Sequence, residues 1–229
     1  MNARRNIYAV VPVKDTSDAK RRLAGVLCGR RRQQLALAMC EDVLTTLAGV
    51  RELAGIIMVT VDPAAAAIAP RYGARVLSAG ARDGHTGAVA AAARELAAEG
   101  MLTLPGDIPL VEGDDVRQLI DVHRATTRDA RAFTIVPARD ERGSNAIVCS
   151  PAAAVPLRFG ADSFIPHLAA AKRCAIEPVV VHLPRIALDI DTPDDVALFL
   201  ATPSSTRARA LLEQWRLRLD EGVSPAATA

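Results

Sequence analysis

Three aspartates and two lysines are the residues of this sequence with the types and spacing to do chemistry. Asp107 lies in LTLPGDIPLV (102–111), where an apolar run breaks at Gly106 and Asp107 between Pro105 and Pro109 and then resumes. The two proline rings restrict the backbone on either side of the carboxylate, as a group that must not wander requires. Asp189 and Asp191 lie two apart in ALDIDTPDDV (187–196), so on an extended segment both point to one face. Carboxylates crowded at one rim repel unless a cation sits among them, and an all-oxygen set favours Mg2+ over zinc. Lys14 and Lys20, in VPVKDTSDAKRRL (11–23), can hold phosphate oxygens as point charges. Taken singly, a lysine reads first as a solvated surface residue, above which position at a strand's carboxyl end raises Lys14 more than Lys20, and neither GxxxxGK(S/T) nor GxGxxG accompanies them.

The elements that must position these groups follow from apolar periodicity. IYAVVPV (7–13), GIIMVTVD (55–62), ARVLSA (74–79) and MLTLP (101–105) read as buried strands. QQLALAMCEDVLTTLAGV (33–50), PAAAAIAPRYG (63–73), TGAVAAAARELAAEG (86–100) and GDDVRQLIDVHRA (113–125) read as the helices between them. Strand–helix alternation with apolar strands predicts an α/β fold with a mostly parallel central sheet flanked by helices. Beyond about residue 130 the strands AFTIVPA (132–138), NAIVCSP (145–151), PVVVHLP (178–184) and ALDID (187–191) crowd together around one helix from Ser163, predicting mixed additions to the same sheet. In DTPDDV, Thr192 is a helix N-cap, Pro193 the first helical residue and Asp194 and Asp195 the acidic first turn. Asp189 and Asp191 precede that cap. One domain is expected over 1–203, followed by an amphipathic helix from Ser204 to about Leu219 and a frayed tail. Ligands of open α/β sheets bind outside the carboxyl ends of strands, which is where Lys14, Asp62, Gly84, Asp107 and Asp189 fall.

Composition narrows the classes. Of 229 residues, 50% are apolar, 24% charged and only 3% aromatic, as expected of an ordinary globular chain. Net charge is +2, and the basic clusters KRRLAGVLCGRRRQQ and RARALLEQWRLRL carry no interleaved aromatic rows, which argues against nucleic-acid binding. Cys28, Cys40, Cys149 and Cys174 form no C-x-x-C pair and read as reduced thiols. The apolar run in MNARRNIYAVVPV is too short for a signal peptide, and no run is long enough to cross a bilayer, so the expectation is a cytoplasmic protein without membrane partners.

The segments VPVK…AKRRL, LPGDIPL, RGSNAIV, FGADSFIPHLAAA and DIDTPDDV occur in the order seen in guanylyltransferases of deazaflavin coenzyme (F-420) biosynthesis, and the likeness spans Ile7 to Leu200. The chain resembles that family, whose fold is nucleotide-diphospho-sugar-transferase-like. The resemblance implies GTP as donor, Mg2+ as metal, and phosphoenolpyruvate, 2-phospholactate or 3-phosphoglycerate as acceptor, with a downstream transferase to receive the product and a homodimer as a possible assembly. It implies Lys14 and Lys20 as triphosphate contacts, with Asp107, Asp189 and Asp191 as metal carboxylates. Ser163 becomes an acceptor contact, in keeping with anion binding at a helix start. Two loops depart from the family pattern. RDGHTGAVAAA (82–92) replaces an Asn-containing loop, and RGSN (142–145) replaces Asp-Gly-Thr-Asn; Gly84, His85, Thr86 and Asn145 are the substrate-binding candidates there. Two other readings stand beside this one: a transferase of the same fold with another acceptor, and an inactive nucleotide-binding paralogue.

Overall fold

The computed structural model describes residues 5–127 and 131–215. The expected strands form β1 (Ile7–Pro12), β2 (Leu53–Val59), β3 (Ala74–Leu77) and β4 (Gly100–Thr103), all parallel and ordered β3-β2-β1-β4. β5 (Ala132–Pro137) and β6 (Ser144–Ser150) form an antiparallel pair, β6 runs antiparallel to β4, and β7 (Pro178–Val180) lies parallel to β5. The result is one α/β domain with a seven-stranded, mostly parallel sheet.

Alternation along the strands divides the core between two faces. Ala9, Val11, Ile56, Met58 and Leu102 pack toward α1 (Gly29–Ala48) and α4 (Gly113–Thr126). Val10, Ile57, Val59 and Met101 pack toward the alanine-rich α3 (Gly84–Leu96). α5 (Phe164–Arg173) covers β5 and β6 through Phe164, Ala170 and Ala171. Each fully buried aliphatic side chain contributes roughly 1.5–3 kcal/mol, so both faces stabilise the sheet. Among the described residues no helix is long and apolar enough to cross a membrane.

β1 is flanked by β2 on one side and β4 on the other. The chain therefore winds outward in one direction from β1 to β3 and returns to the other side at β4, which opens a crevice at the carboxyl ends of β1 and β4. Lys14 follows β1 and Asp107 follows β4.

Three expectations need correction. ALDID is not a strand: α6 (Pro184–Ala187) takes its first residue, and residues 188–191 run outside the sheet. The reason lies in α7 (Pro193–Ala201), whose capping Asp195 accepts the N–H groups of Asp191 and Thr192 that a ladder would need. α1 starts at Gly29 and not at Gln33, because Arg32 bonds the carbonyls of Ala19 and Leu27 and so ties down a first turn that lacks apolar residues. α8 spans Arg207–Gln214 with Thr206 as its cap, and Asp42 of α1 accepts the N–H groups of Arg207 and Ala208 at 2.8 and 2.9 Å. Its expected continuation toward Leu219 and the tail lie outside the described residues. Trp215 packs within the chain, with Arg31 5.3 Å above its ring.

His123 of α4 joins helix to sheet, its Nδ1 3.0 Å from Thr134 Oγ1 and its Nε2 2.8 Å from Ser150 Oγ. Burial, aided by the Arg124 charge, lowers its pKa from 6.5 to about 4. Between those two values the unfolded chain holds a proton that the folded chain lacks, so this contribution to stability is intact above the upper value and declines as pH falls toward the lower. Denaturant unfolding should show stability falling by up to about 3 kcal/mol on this account between about pH 7 and about pH 4. His123→Gln should flatten the slope by about one proton, and an unchanged slope would remove the assignment.

Candidate active site

The loop leaving β1 is held from three sides. Val13 extends the ladder through its N–H to the Val59 carbonyl at 2.9 Å. Thr16 then turns inward, donating its N–H and its hydroxyl to one carboxylate oxygen of Asp62 at 2.6 and 2.5 Å. The other Asp62 oxygen caps α2 (Pro63–Ile68), accepting from Ala64 and Ala65. Gln33 reaches Thr16 Oγ1 at 3.3 Å, and Arg32 reaches the Ala19 carbonyl at 3.1 Å. Lys14 is exposed at the mouth of the crevice.

Lys20 sits between two 3-10 turns with φ +53°, a left-handed conformation that a lysine rarely adopts. Such strain persists only where surrounding contacts enforce it. Here they aim its ammonium between Asp107 Oδ2 at 2.5 Å and Asp191 Oδ1 at 2.7 Å, with only 7% of the lysine side chain exposed. Burial disfavours this ammonium, but the charges and hydrogen bonds of the two aspartates outweigh it and raise the pKa above the ordinary lysine value. For Asp191, burial is likewise outweighed by Lys20, and its pKa is lowered.

The second acidic stretch is brought to the first by one backbone bond, from the Ile190 N–H to the Asp107 carbonyl at 3.1 Å. Leu188 and Ile190 are buried in the cluster around Leu35 and Met39, so the intervening and following aspartates face the rim. The alternation expected of a strand is thus kept without a strand. Arg185 of α6 grips Asp115 of α4 in two parallel bonds of 2.7 and 2.8 Å, fixing the approach to this segment. The Asn145 amide donates to the carbonyls of Ile186 and Ala187 and to Asp189 Oδ1 at 3.0, 3.1 and 3.1 Å. Asn145, a substrate-binding candidate in the sequence, is therefore engaged in placing Asp189. Burial first, and then the charge of Asp107, raise the Asp189 pKa.

Two cavities meet at these groups. One of about 380 Å³ is lined by the loop after β1, Cys40 and the start of α3. The other, of about 840 Å³, reaches Arg139, Ser144, Phe159 and Ser163. Lys14, Gly84, His85, Pro105, Asp107 and Asp191 line both. The start of α3 can come this close because Gly80 (φ +73°) packs on Gly87, where a Cβ on Gly80 would stand 2.4 Å from the Gly87 carbonyl oxygen. His85 stacks on Phe159 with ring centroids 4.1 Å apart, its Nε2 buried and unpartnered among the described residues. Burial above all lowers its pKa to about 4, so it is neutral at pH 7. Thr86 Oγ1 accepts the Phe159 N–H at 2.9 Å, which ties the start of α3 to the lining of the larger cavity. Ser163 does not cap α5, and the N–H of Phe164 is already bonded to the Arg142 carbonyl at 2.9 Å. With Pro166 lacking an N–H and the Ser163 hydroxyl donating to Ser144 Oγ at 3.3 Å, that helix start is not a cradle of free donors.

Among the described residues no three His, Cys, Asp or Glu side chains are grouped to hold a metal ion by themselves. The donor set nevertheless suits Mg2+, which takes one or two carboxylates and leaves its other positions to substrate oxygens and water. Asp107 Oδ1 is buried without a hydrogen-bond partner among the described residues, as an oxygen reserved for a cation would be.

Residues 7–228 match the family model described as "Guanylyl transferase CofC like". The chain belongs to this family. It is 36% identical over 206 residues to the phosphoenolpyruvate guanylyltransferase of Conexibacter woesei, covering 89% of this chain and 91% of that one. It is 34% identical to the 3-phospho-D-glycerate guanylyltransferase of Colwellia psychrerythraea, covering 82% and 89%. A nucleotide-diphospho-sugar transferase structure from Desulfovibrio desulfuricans superposes with a TM-score of 0.68 over 91% of this chain and 94% of that one. At 20% identity, that likeness concerns the fold alone.

Sequence reading placed Lys14, Lys20, Asp107, Asp189 and Asp191 at this crevice and Asp62 at a strand end without a role, but it passed over Arg32 and Asp115, whose partners are distant in sequence. The loop anchor is the most exposed to test. Asp62→Ala leaves four donor contacts without an acceptor, which should cost about 1–3 kcal/mol in urea unfolding. Amide hydrogen exchange at Thr16, Ala64 and Ala65 should accelerate; unchanged exchange at Thr16 would show that Asp62 does not hold the loop.

Proposed function

We propose that this chain is a guanylyltransferase that joins GMP from GTP to a three-carbon phospho-acid and releases pyrophosphate. The observation that carries the reading is the meeting of Lys14, Lys20, Asp107, Asp189 and Asp191 where two cavities join at the switch point of the sheet, in a chain of this family. The smaller cavity takes the nucleotide, and the larger, with its serines and arginines, takes the acceptor. An oxygen of the acceptor phosphate attacks the α-phosphorus of GTP; that P–O bond forms as the bond from the α-phosphorus to the departing pyrophosphate breaks. Phosphate monoesters are largely dianionic at pH 7, with a second pKa near 6, so no protein base has to remove a proton. His85 and His167, both with pKa values lowered to about 4, chiefly by burial, are accordingly neutral companions of the site.

The chemistry the protein must supply is charge neutralisation and alignment of two anions. Lys14 and Lys20 provide fixed positive charge, and the loop bonds to Asp62 and Arg32 keep Lys20 in register. We assign Asp107, with its free Oδ1, and the neighbouring Asp189 and Asp191 as the residues that hold Mg2+. When bound, the ion neutralises phosphate charge and polarises the α-phosphorus. We place the reaction in deazaflavin coenzyme biosynthesis in the cytoplasm, its anhydride product being consumed by a downstream transferase.

Pyrophosphate release from GTP and Mg2+ with phosphoenolpyruvate, 2-phospholactate or 3-phosphoglycerate tests the reading directly. At least one acid should support turnover and give a product containing guanosine and the acid in equal amounts. Asp189→Asn should lower kcat/KM by about 10²-fold or more. Lys14→Ala should raise the KM for GTP more than that for the acid, as expected of a donor contact. GTP binding without pyrophosphate release from any of these acids would instead support an inactive nucleotide-binding paralogue.

A further inference from the structure

The buried imidazole of His167 is the node of a network on the acceptor side of the cavity. The Arg158 N–H donates to His167 Nε2 at 3.0 Å. A neutral imidazole with Nε2 accepting must carry its proton on Nδ1, and Nδ1 lies 3.0 Å from Ser144 Oγ. Ser163 Oγ donates to the same Ser144 oxygen at 3.3 Å. A hydroxyl has two acceptor sites and one donor. With both acceptor sites taken, Ser144 retains its own proton, and it lines the larger cavity together with Arg139 and Arg142. The imidazole also meets Phe159 edge-on at 5.0 Å, and Phe159 in turn supports His85.

Resting on the function proposed above, we infer that His167 is a positioning residue for the acceptor. It fixes the Nδ1–H tautomer against Ser144, so that the Ser144 hydroxyl is oriented to donate to an anionic oxygen of the phospho-acid. It touches neither substrate and transfers no proton.

His167→Phe keeps a ring against Phe159 but cannot donate, whereas His167→Asn can place an amide N–H where Nδ1–H stood. With circular dichroism confirming folded variants, His167→Phe and Ser144→Ala should each raise the acceptor KM about tenfold while the GTP KM stays within about twofold. The double variant should be no worse than either single one, because both remove the same oriented donor. His167→Asn should recover part of the loss. Independently of turnover, 15N NMR of the imidazole in the free protein should show the Nδ1–H tautomer. Equal increases in both KM values, multiplicative losses in the double variant, or the Nε2–H tautomer would each overturn the assignment. If the wild type turns over none of the acids, the functional reading falls, and calorimetric binding of phosphoenolpyruvate to the wild type and His167→Phe replaces the KM comparison. About tenfold weaker binding to the variant then upholds His167, and equal or absent binding overturns it.

Discussion

The ammonium of Lys20, held 2.5 Å from Asp107 and 2.7 Å from Asp191, joins three stretches of chain that lie far apart in sequence. Without their partners these groups would be costly, since a largely enclosed ammonium is disfavoured by several kcal/mol and the aspartates would repel one another. Together they tie the loop after β1 to the turn after β4 and to the 188–191 segment. The surrounding structure can be understood as what keeps that ammonium in place: a strained left-handed residue, a loop pinned to Asp62 and Arg32, and a segment fastened to Asp107 through its backbone.

The scaffold divides its labour by distance from this point. The sheet places Lys14 and Asp107 on adjacent strands, and no helix has to bend to bring them together. The 184–195 region is less regular and is held by discrete polar contacts, with Arg185 on Asp115, Asn145 on Asp189 and Asp195 on the Thr192 turn. These contacts give a non-sheet segment the rigidity that a metal ligand or phosphate contact needs. The larger cavity is built in a third way, from an aromatic and hydroxyl cluster in which His85, Phe159, His167, Ser144 and Ser163 meet.

Much of this was legible in the sequence where one local rule decided the outcome. Val- and Ile-rich runs became strands, Thr192–Asp195 formed its capping box, and the rule that ligands bind at strand ends located Lys14 and Asp107. The failures came where distant partners overrode local pattern. ALDID has strand composition, yet the α7 cap takes the Asp191 N–H and the Asp107 carbonyl takes that of Ile190. The first turn of α1 is arginine-rich and looks unlike a helix, yet Arg32 secures it against the preceding loop. Asn145 stands in a motif read as substrate-binding and proves to hold Asp189. Asp62 and His167 are lone residues whose roles depend on partners 46 and 23 positions away, and no spacing rule reaches that far.

Lys20 holds two of the carboxylates proposed above to bind a cation. The direct measurement is a manganese titration followed by electron paramagnetic resonance, without nucleotide, comparing the wild type with Lys20→Met. Removing the ammonium should let the free carboxylates bind one ion about tenfold or more tightly than the wild type does, and adding Asp107→Asn should abolish the gain. Equal affinities in the wild type and Lys20→Met would contradict the account, because the lysine would then have no part in the place where the metal binds.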